Sequence, residues 1–303
     1  MLPGVAVRAQ AGGCHAREAR GAEPVYYPVE GSPGAAPRWS IGVVTRRAFL
    51  LGALALLPGR PARVAAAETR QSPYEVDVGI LYDLLRFHLT GTITESIDRE
   101  RGRYEVSVRG QGDGIQNQSE SVGVLRGGRW VPRKSVFRVV VYGREAHLDV
   151  TYDQDARLIR YRGRSETFFL RRLRVAEDDV PVPPDVHVDD IATALLNYAD
   201  GLWRPGADGR LTTHVVRRRR AANEGADDVQ KRYEAELVPL VLTVEPDPRS
   251  PLSAAVFDLS RFSSWAREDR PARIVFGADR RPRTLTSSLI LGTSLAVRVG
   301  GGA

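Results

Sequence analysis

The feature that most constrains this chain is an alternation of period two that begins near Tyr74 and recurs almost to its end. Tyr74-Glu75-Val76-Asp77-Val78 and Arg103-Tyr104-Glu105-Val106-Ser107-Val108-Arg109 place an apolar residue at every second position. That period suits a strand with one buried and one wet face, because successive side chains of a strand point to opposite sides. Leu84 to Thr94, Ser119 to Leu125, Ser135 to Tyr142, Ala146 to Tyr152, Arg157 to Tyr161 and Glu166 to Leu173 read as further strands. Gly110-Gln111-Gly112-Asp113-Gly114, Gly127-Gly128, Gly143-Arg144 and Asp153-Gln154-Asp155 punctuate them with turn-forming residues. Strand patterns resume at Leu211 to Arg217 and Tyr233 to Val244, with Pro246 to Pro251 as a loop. A closing meander runs through Ala272 to Phe276, Arg283 to Leu289 and Ser294 to Val299. Short strands at this spacing predict a mainly β fold, a single antiparallel curved sheet or half-barrel.

One segment departs from the pattern. After Pro181 to Pro184, Asp189 reads as an N-cap and Asp190 as a first-turn acid. Ile191, Ala194, Leu195, Tyr198 and Leu202 then recur at helical spacing, and Gly201 and Pro205-Gly206 end the run. One α-helix is therefore predicted over about 187–203, capping the open face of the sheet. Leu195, Tyr198 and Trp203 are the candidate lining residues of a ligand cavity between helix and sheet, and equally candidates for plain core.

Ahead of the strands lies Thr45-Arg46-Arg47-Ala48-Phe49-Leu50-Leu51, an apolar run to Leu57, and Ala65-Ala66-Ala67. A basic end, a short apolar middle and small residues before a cut make an export signal. Adjacent Arg46 and Arg47 make it a twin-arginine signal, with Ala65 and Ala67 at its cleavage site. The apolar run is too short to span a bilayer as a helix, which takes about 20 residues. The expected organisation is a disordered or misassigned leader over 1–43, a signal over 44–67 and one β-rich domain over 68–303. The protein is expected in the periplasm or otherwise exported, with the twin-arginine translocase as its partner during export.

This division changes the meaning of the overall charge. The formal net charge is +7, but residues 1–67 hold eight arginines and only three acids. The remainder is close to neutral, so composition gives no support to nucleic-acid binding. The one cysteine, Cys14, also lies in the leader. The exported domain thus has no thiol for a disulfide, a nucleophile or a metal.

No motif in the domain commits it to chemistry. The Gly110 to Gly114 cluster is followed by a strand pattern, whereas a phosphate-binding loop opens a helix, so a hairpin turn is expected. His88, His147, His187 and His214 show no i,i+4 pair that would hold a metal on a helix. There is no Gly-x-Ser-x-Gly elbow and no Ser-x-x-Lys pair. Arg217-Arg218-Arg219-Arg220 reads as a solvated strand end, with acidic lipid headgroups as the alternative partner. No catalytic residue, metal or cofactor is assigned.

Three features together resemble the uncharacterised bacterial domain family 3108, a domain of unknown function. They are the opening Tyr74 to Val78, the single helix Asp189 to Leu202, and the turn Asp279-Arg280-Arg281-Pro282-Arg283, which leads through a strand to Leu291-Gly292-Thr293. The resemblance covers about Tyr74 to Val299 and implies an exported domain similar to lipoprotein-carrier half-barrels. It supplies no catalytic residues, and Val175 to Val188 stands out as an insert against it. The expected function is that of a non-catalytic envelope protein binding a lipid or other amphipathic molecule in a sheet–helix cavity. The alternatives are a carboxylate-dependent hydrolase of envelope glycans or esters, and a structural partner in an envelope complex. N-terminal sequencing of protein from its own host should find a chain beginning near Glu68, and a mature form retaining Gly21 to Ser40 would contradict the signal assignment.

Overall fold

The computed structural model describes residues 67–80, 85–167, 170–221, 224, 227–246, 252–262, 266–267, 269–289 and 292–300. Arg46, Arg47 and Ala65 of the expected signal lie outside the described residues. Eight strands form a first antiparallel meander: β1 (Glu68–Ile80), β2 (Leu85–Asp98), β3 (Arg103–Gly112), β4 (Ile115–Arg126), β5 (Arg129–Val141), β6 (Arg144–Asp153), β7 (Leu158–Glu166) and β8 (Leu173–Pro181). The helix α1 (Ile191–Ala199) follows. A second meander then comprises β9 (Leu211–Arg218), β10 (Ala235–Pro246), β11 (Ser253–Phe257), β12 (Ala272–Phe276), β13 (Pro282–Ser288) and β14 (Ser294–Val299). Because β14 pairs antiparallel with β1, both meanders belong to one 14-stranded sheet that starts at β8 and ends at β9.

The two free edges come back toward each other. Ala176 of β8 bridges Tyr233, and the amide of Ala235 donates to Asp178 Oδ2 at 2.8 Å. On the β9 edge, the amide of His214 donates to the His187 carbonyl at 2.9 Å, and the amide of Asp189 donates to the His214 carbonyl at 2.8 Å. The segment entering α1 is thereby stitched along β9, and the sheet is nearly closed into a barrel. The fold class is the expected one: mainly β, one antiparallel sheet, one helix among the described residues.

The helix is shorter than expected, and Asp190 rather than Asp189 is its N-cap, accepting the Thr193 amide at 2.7 Å. Ile191, expected on the apolar face, is 55 % exposed. Two strands were not legible in the pattern. β8 contains Glu177, Asp178 and Asp179, residue types depleted in strands. It forms because Arg162 and Arg160 of β7 stand opposite Glu177 and Asp179, and Arg162 pairs with Asp179 at 2.9 Å. The expected insert from Val175 is therefore strand for half its length. β11 is built on Ala254 and Ala255, which offer little β propensity but fit a fully packed position.

The core falls into three apolar clusters, and the helix region contributes to each. Ala194 and Tyr198 pack with β9–β12, Val188 packs with β6–β8, and Leu196 packs with Ile97, Tyr104, Val106 and Trp130. The side of the sheet that carries these residues is its inner face.

Along that face, cross-strand packing is close where Tyr74 lies over two glycines. Tyr74 donates to Asn117 Oδ1 of β4 at 2.6 Å, crossing Gly91 and Gly110 on the way. A Cβ on Gly110 would stand 2.2 Å from the Tyr74 hydroxyl, and one on Gly91 would stand 2.2 Å from the Arg109 carbonyl oxygen. Such overlaps force backbone shifts in a packed sheet. Gly91→Ala is expected to lower unfolding stability by about 1–3 kcal/mol in chemical denaturation, as overpacking does.

Candidate functional site

The densest polar assembly inside the sheet is built around the entry to α1. Asp189 is 0 % exposed, and both of its carboxylate oxygens are engaged. Oδ2 accepts from Arg129 Nη2 of β5 at 2.5 Å and from Thr213 Oγ1 of β9 at 2.7 Å, and Oδ1 accepts from Asn197 Nδ2 of the helix at 3.5 Å. Asp190 Oδ1 accepts the amide and hydroxyl of Thr193, and its Oδ2 accepts Ser121 Oγ of β4 at 2.6 Å. Tyr104 of β3 bonds Thr193 Oγ1 and, at 3.1 Å, Ser121 Oγ.

One turn further along the helix, Asn197 acts as a two-way clamp on β5. Its Oδ1 accepts the Trp130 amide at 2.8 Å, and its Nδ2 donates to the Trp130 carbonyl at 2.9 Å. Asp200, at the C-cap, accepts Trp130 Nε1 at 2.8 Å and Arg99 Nη1 at 2.6 Å. The arginine also offsets the carboxylate's poor placement at the negative end of the helix dipole.

Burial dominates the electrostatics here. It pushes Asp189 up to about 6, with the Arg129 charge and the Thr213 hydrogen bond resisting. It raises Asp190 against the hydrogen bonds of Ser121 and Thr193, and it raises Tyr104 as well. His187 is held below its ordinary value by burial and then by the positive charges of Arg129 and Arg157. For Asp200, burial pushes upward, but the hydrogen bonds from Arg99 and Trp130 outweigh it and leave the group low.

Perturbed carboxylates can mark a catalytic site. Here all four oxygens of Asp189 and Asp190 accept hydrogen bonds from this chain's own donors. The arrangement is chemically a latch: it fixes a helix to β3, β4, β5 and β9 at once. Sequence reasoning missed it, although one signal was present. Asp190, Thr193 and Asn197 repeat at i, i+3 and i+7, a polar stripe on the helix beside the apolar one.

The expected lining residues come together, but inside the core. Tyr198 is 4 % exposed, with its ring centroid 4.4 Å from that of Phe276 and the Arg280 guanidinium 4.5 Å above it. Trp203 is buried and donates from Nε1 to the Thr212 carbonyl at 3.2 Å. Leu195 packs against the same cluster. The arginine run is mostly paired: Arg217 with Glu236 of β10, Arg218 with Glu224 in the β9–β10 connection, and Arg219 with Glu234 just ahead of β10. A polar groove of about 980 Å³ is lined by Arg103, Glu105, Lys134, Asp153 and Arg160, with Lys134 paired to Asp149 at 2.8 Å. Among the described residues, no three His, Cys, Asp or Glu side chains converge as a metal site, and no helix is long and apolar enough to cross a membrane.

No family model matches the chain, and no curated protein matches it. Among solved structures it is similar to a β-barrel-like protein of the domain of unknown function DUF1849 from Brucella abortus. The two share 12 % identity over 78 % of this chain and 97 % of that one, with a TM-score of 0.39.

The raised acidity constant of Asp189 has a measurable sign. The folded protein holds this proton more tightly than the unfolded chain, whose Asp titrates near 3.8. Its stabilising contribution is therefore complete below about pH 4 and lost as pH rises through about 6, amounting to about 3 kcal/mol. Asp189→Asn removes the titration, leaving a pH-independent offset from the altered Arg129 contact. Between pH 4 and 7 the natural protein should lose about 3 kcal/mol relative to this variant in denaturant titrations. Parallel curves would show that Asp189 does not titrate in this range.

Proposed function

We propose that this protein is an exported, non-catalytic binding protein of the cell envelope that holds an apolar or amphipathic molecule, such as a lipid, on the inner face of its sheet. The observation that carries the reading is an inner face only partly covered by the helix. Phe137 stands in a cross-strand row with Val108, Ser119 and Leu148, on the face that carries buried Val106 and Val150, yet it is 40 % exposed. Val76, Val108 and Val139 on the same face are half-buried.

Burial at the helix end is complete, with Trp130 and Ala194 each 1 % exposed. The packed end, including Leu195, Tyr198 and Trp203, then forms the floor of the compartment, and the ligand surface lies beyond it. Apolar side chains left half-wet on a concave face gain about 25 cal/mol for each Å² that a ligand removes from water. The twin-arginine signal and the resemblance to family 3108 supply the exported setting of this reading.

An uncharged apolar dye, N-phenylnaphthylamine, should gain fluorescence with the full chain. Phe137→Asp should weaken its binding more than tenfold, because the ligand would meet an unpaired charge. The thermal midpoint of the variant should stay close to that of the natural protein, since the site is already half open to water. A dye that does not bind, together with native mass spectra of host-purified protein that show no adduct, would defeat the proposal.

A further inference from the structure

The outer face of the first meander carries a groove, on the opposite side of the sheet from the proposed ligand surface. In β3 the exposed Arg103 and Glu105 alternate with the buried Tyr104 and Val106, so they point outward. Glu105 pairs with Val122, Val122 with Lys134, Lys134 with Thr151, and Thr151 with Arg160. Directly paired residues of an antiparallel sheet share a face, and this row runs along the polar groove of about 980 Å³.

Two devices shape it. The register between β4 and β5 slips at Gly123: Val122 pairs with Lys134 but Gly123 with Pro132, which leaves Arg133 as an extra residue. Such a bulge bends its strand and re-aims a side chain, and here it sets two successive cations, Arg133 and Lys134, along the groove. The β6–β7 turn folds against the bulge. Gln154 Nε2 donates to the Pro132 carbonyl at 3.0 Å, and Asp155 pairs with Arg126 of β4 at 2.8 Å.

Most of the charges at the groove are already committed. Lys134 is paired with Asp149, Asp98 with Arg101 and Asp155 with Arg126, and Asp153 accepts two amides of its own turn. The side chains of Arg103, Arg133 and Arg160 make no ion pair or hydrogen bond among the described residues, and neither does that of Glu105. Because β3, β5 and β7 are alternate strands, the three arginines stem from positions at intervals of about 10 Å across the sheet.

Free guanidiniums select oxyanions, which their planar forks bind through paired hydrogen bonds. The free carboxylate among them repels a bare polyanion and accepts hydroxyl donors. A linear chain with acidic groups at intervals and hydroxyls between them meets both conditions. Tyr104 and Tyr152, the aromatic residues at the groove, are 3 % and 6 % exposed, so neither ring is open to the base stacking that single-stranded nucleic acids use. We propose that the groove binds an acidic oligosaccharide, its anionic groups on Arg103, Arg133 and Arg160 and its hydroxyls on Glu105. This activity is separate from the inner-face function and does not depend on it.

In isothermal titration calorimetry the full chain should bind oligogalacturonate, more weakly as salt is added, and should give no binding heat with neutral maltodextrin of equal length. Arg103→Gln, Arg133→Gln and Arg160→Gln should each weaken binding about threefold, the scale of an exposed ion pair. Together they should weaken it about thirtyfold, since sites this far apart act additively. Their melting midpoints should match that of the natural protein, because none of the three has a partner in the fold to lose. Arg138→Gln, on the same outer face but outside the groove, should change nothing. Glu105→Ala should weaken oligogalacturonate yet strengthen polyacrylate, which has no hydroxyls. No binding of oligogalacturonate, an equal loss in Arg138→Gln, or tighter binding of both polymers by Glu105→Ala would overturn the proposal. Binding to phosphatidylglycerol vesicles that is tighter than to the oligosaccharide, and lost in the triple variant, would overturn it too by giving the groove to a membrane surface.

Discussion

The contact on which most of the structure depends is the buried pairing of Asp189 with Arg129 and Thr213. It sits where three demands meet: the β9 edge must be satisfied, the chain must leave the sheet, and a helix must enter its interior. A buried ionised carboxylate without partners would cost several kcal/mol, so the site is tolerable only when all its partners are in place. Those partners come from β5, β9 and the helix itself. Fixing Asp189 therefore fixes the β9 edge and β5 relative to α1. Asn197 and Asp200 extend the same logic along the helix by gripping Trp130 from two sides.

A closed sheet of this many strands encloses more space than its own side chains fill, which is why large barrels hold ligands, plugs or water. Among the described residues, this chain meets that geometric fact with one short α-helix at one end. The helix needs two kinds of face, because it must bond a polar latch and pack an apolar wall. Ala194 and Tyr198 serve the wall, while Thr193 and Asn197 serve the latch. At the other end the same sheet keeps its inner apolar face half-wet, and the proposed binding surface follows from that unequal filling.

Much of this was legible in the alternation of the sequence. The strands from Tyr74 to Tyr161 and the final meander declare themselves because one face is buried and one is wet. The helix declares itself because its period changes. β8 stayed hidden because its acids are matched by arginines on the neighbouring strand, a long-range pairing that local pattern cannot express. β11 stayed hidden because alanine at a crowded position looks like alanine anywhere. The latch was invisible for a related reason: Arg129, Ser121 and Thr213 are ordinary polar residues until the fold brings them within hydrogen-bond distance. Tyr198 and Trp203 are both buried, and in sequence an aromatic side chain in this region reads the same whether it lines a cavity or fills a core.

The pairing of β1 with β14 carries a mechanical consequence. Hydrogen bonds run unbroken from β8 through β1 and β14 to β9, while the covalent link between the two meanders runs through α1. The seam where the ladder is weakest is thus the place where the backbone itself crosses. A strand at either free edge cannot peel away without tugging the helix from its socket, and the helix cannot leave without dragging both edges. An ordinary open sheet frays from its margins inward. In this one the margins are tethered to the plug, so the first step of opening has to involve the deepest part of the molecule.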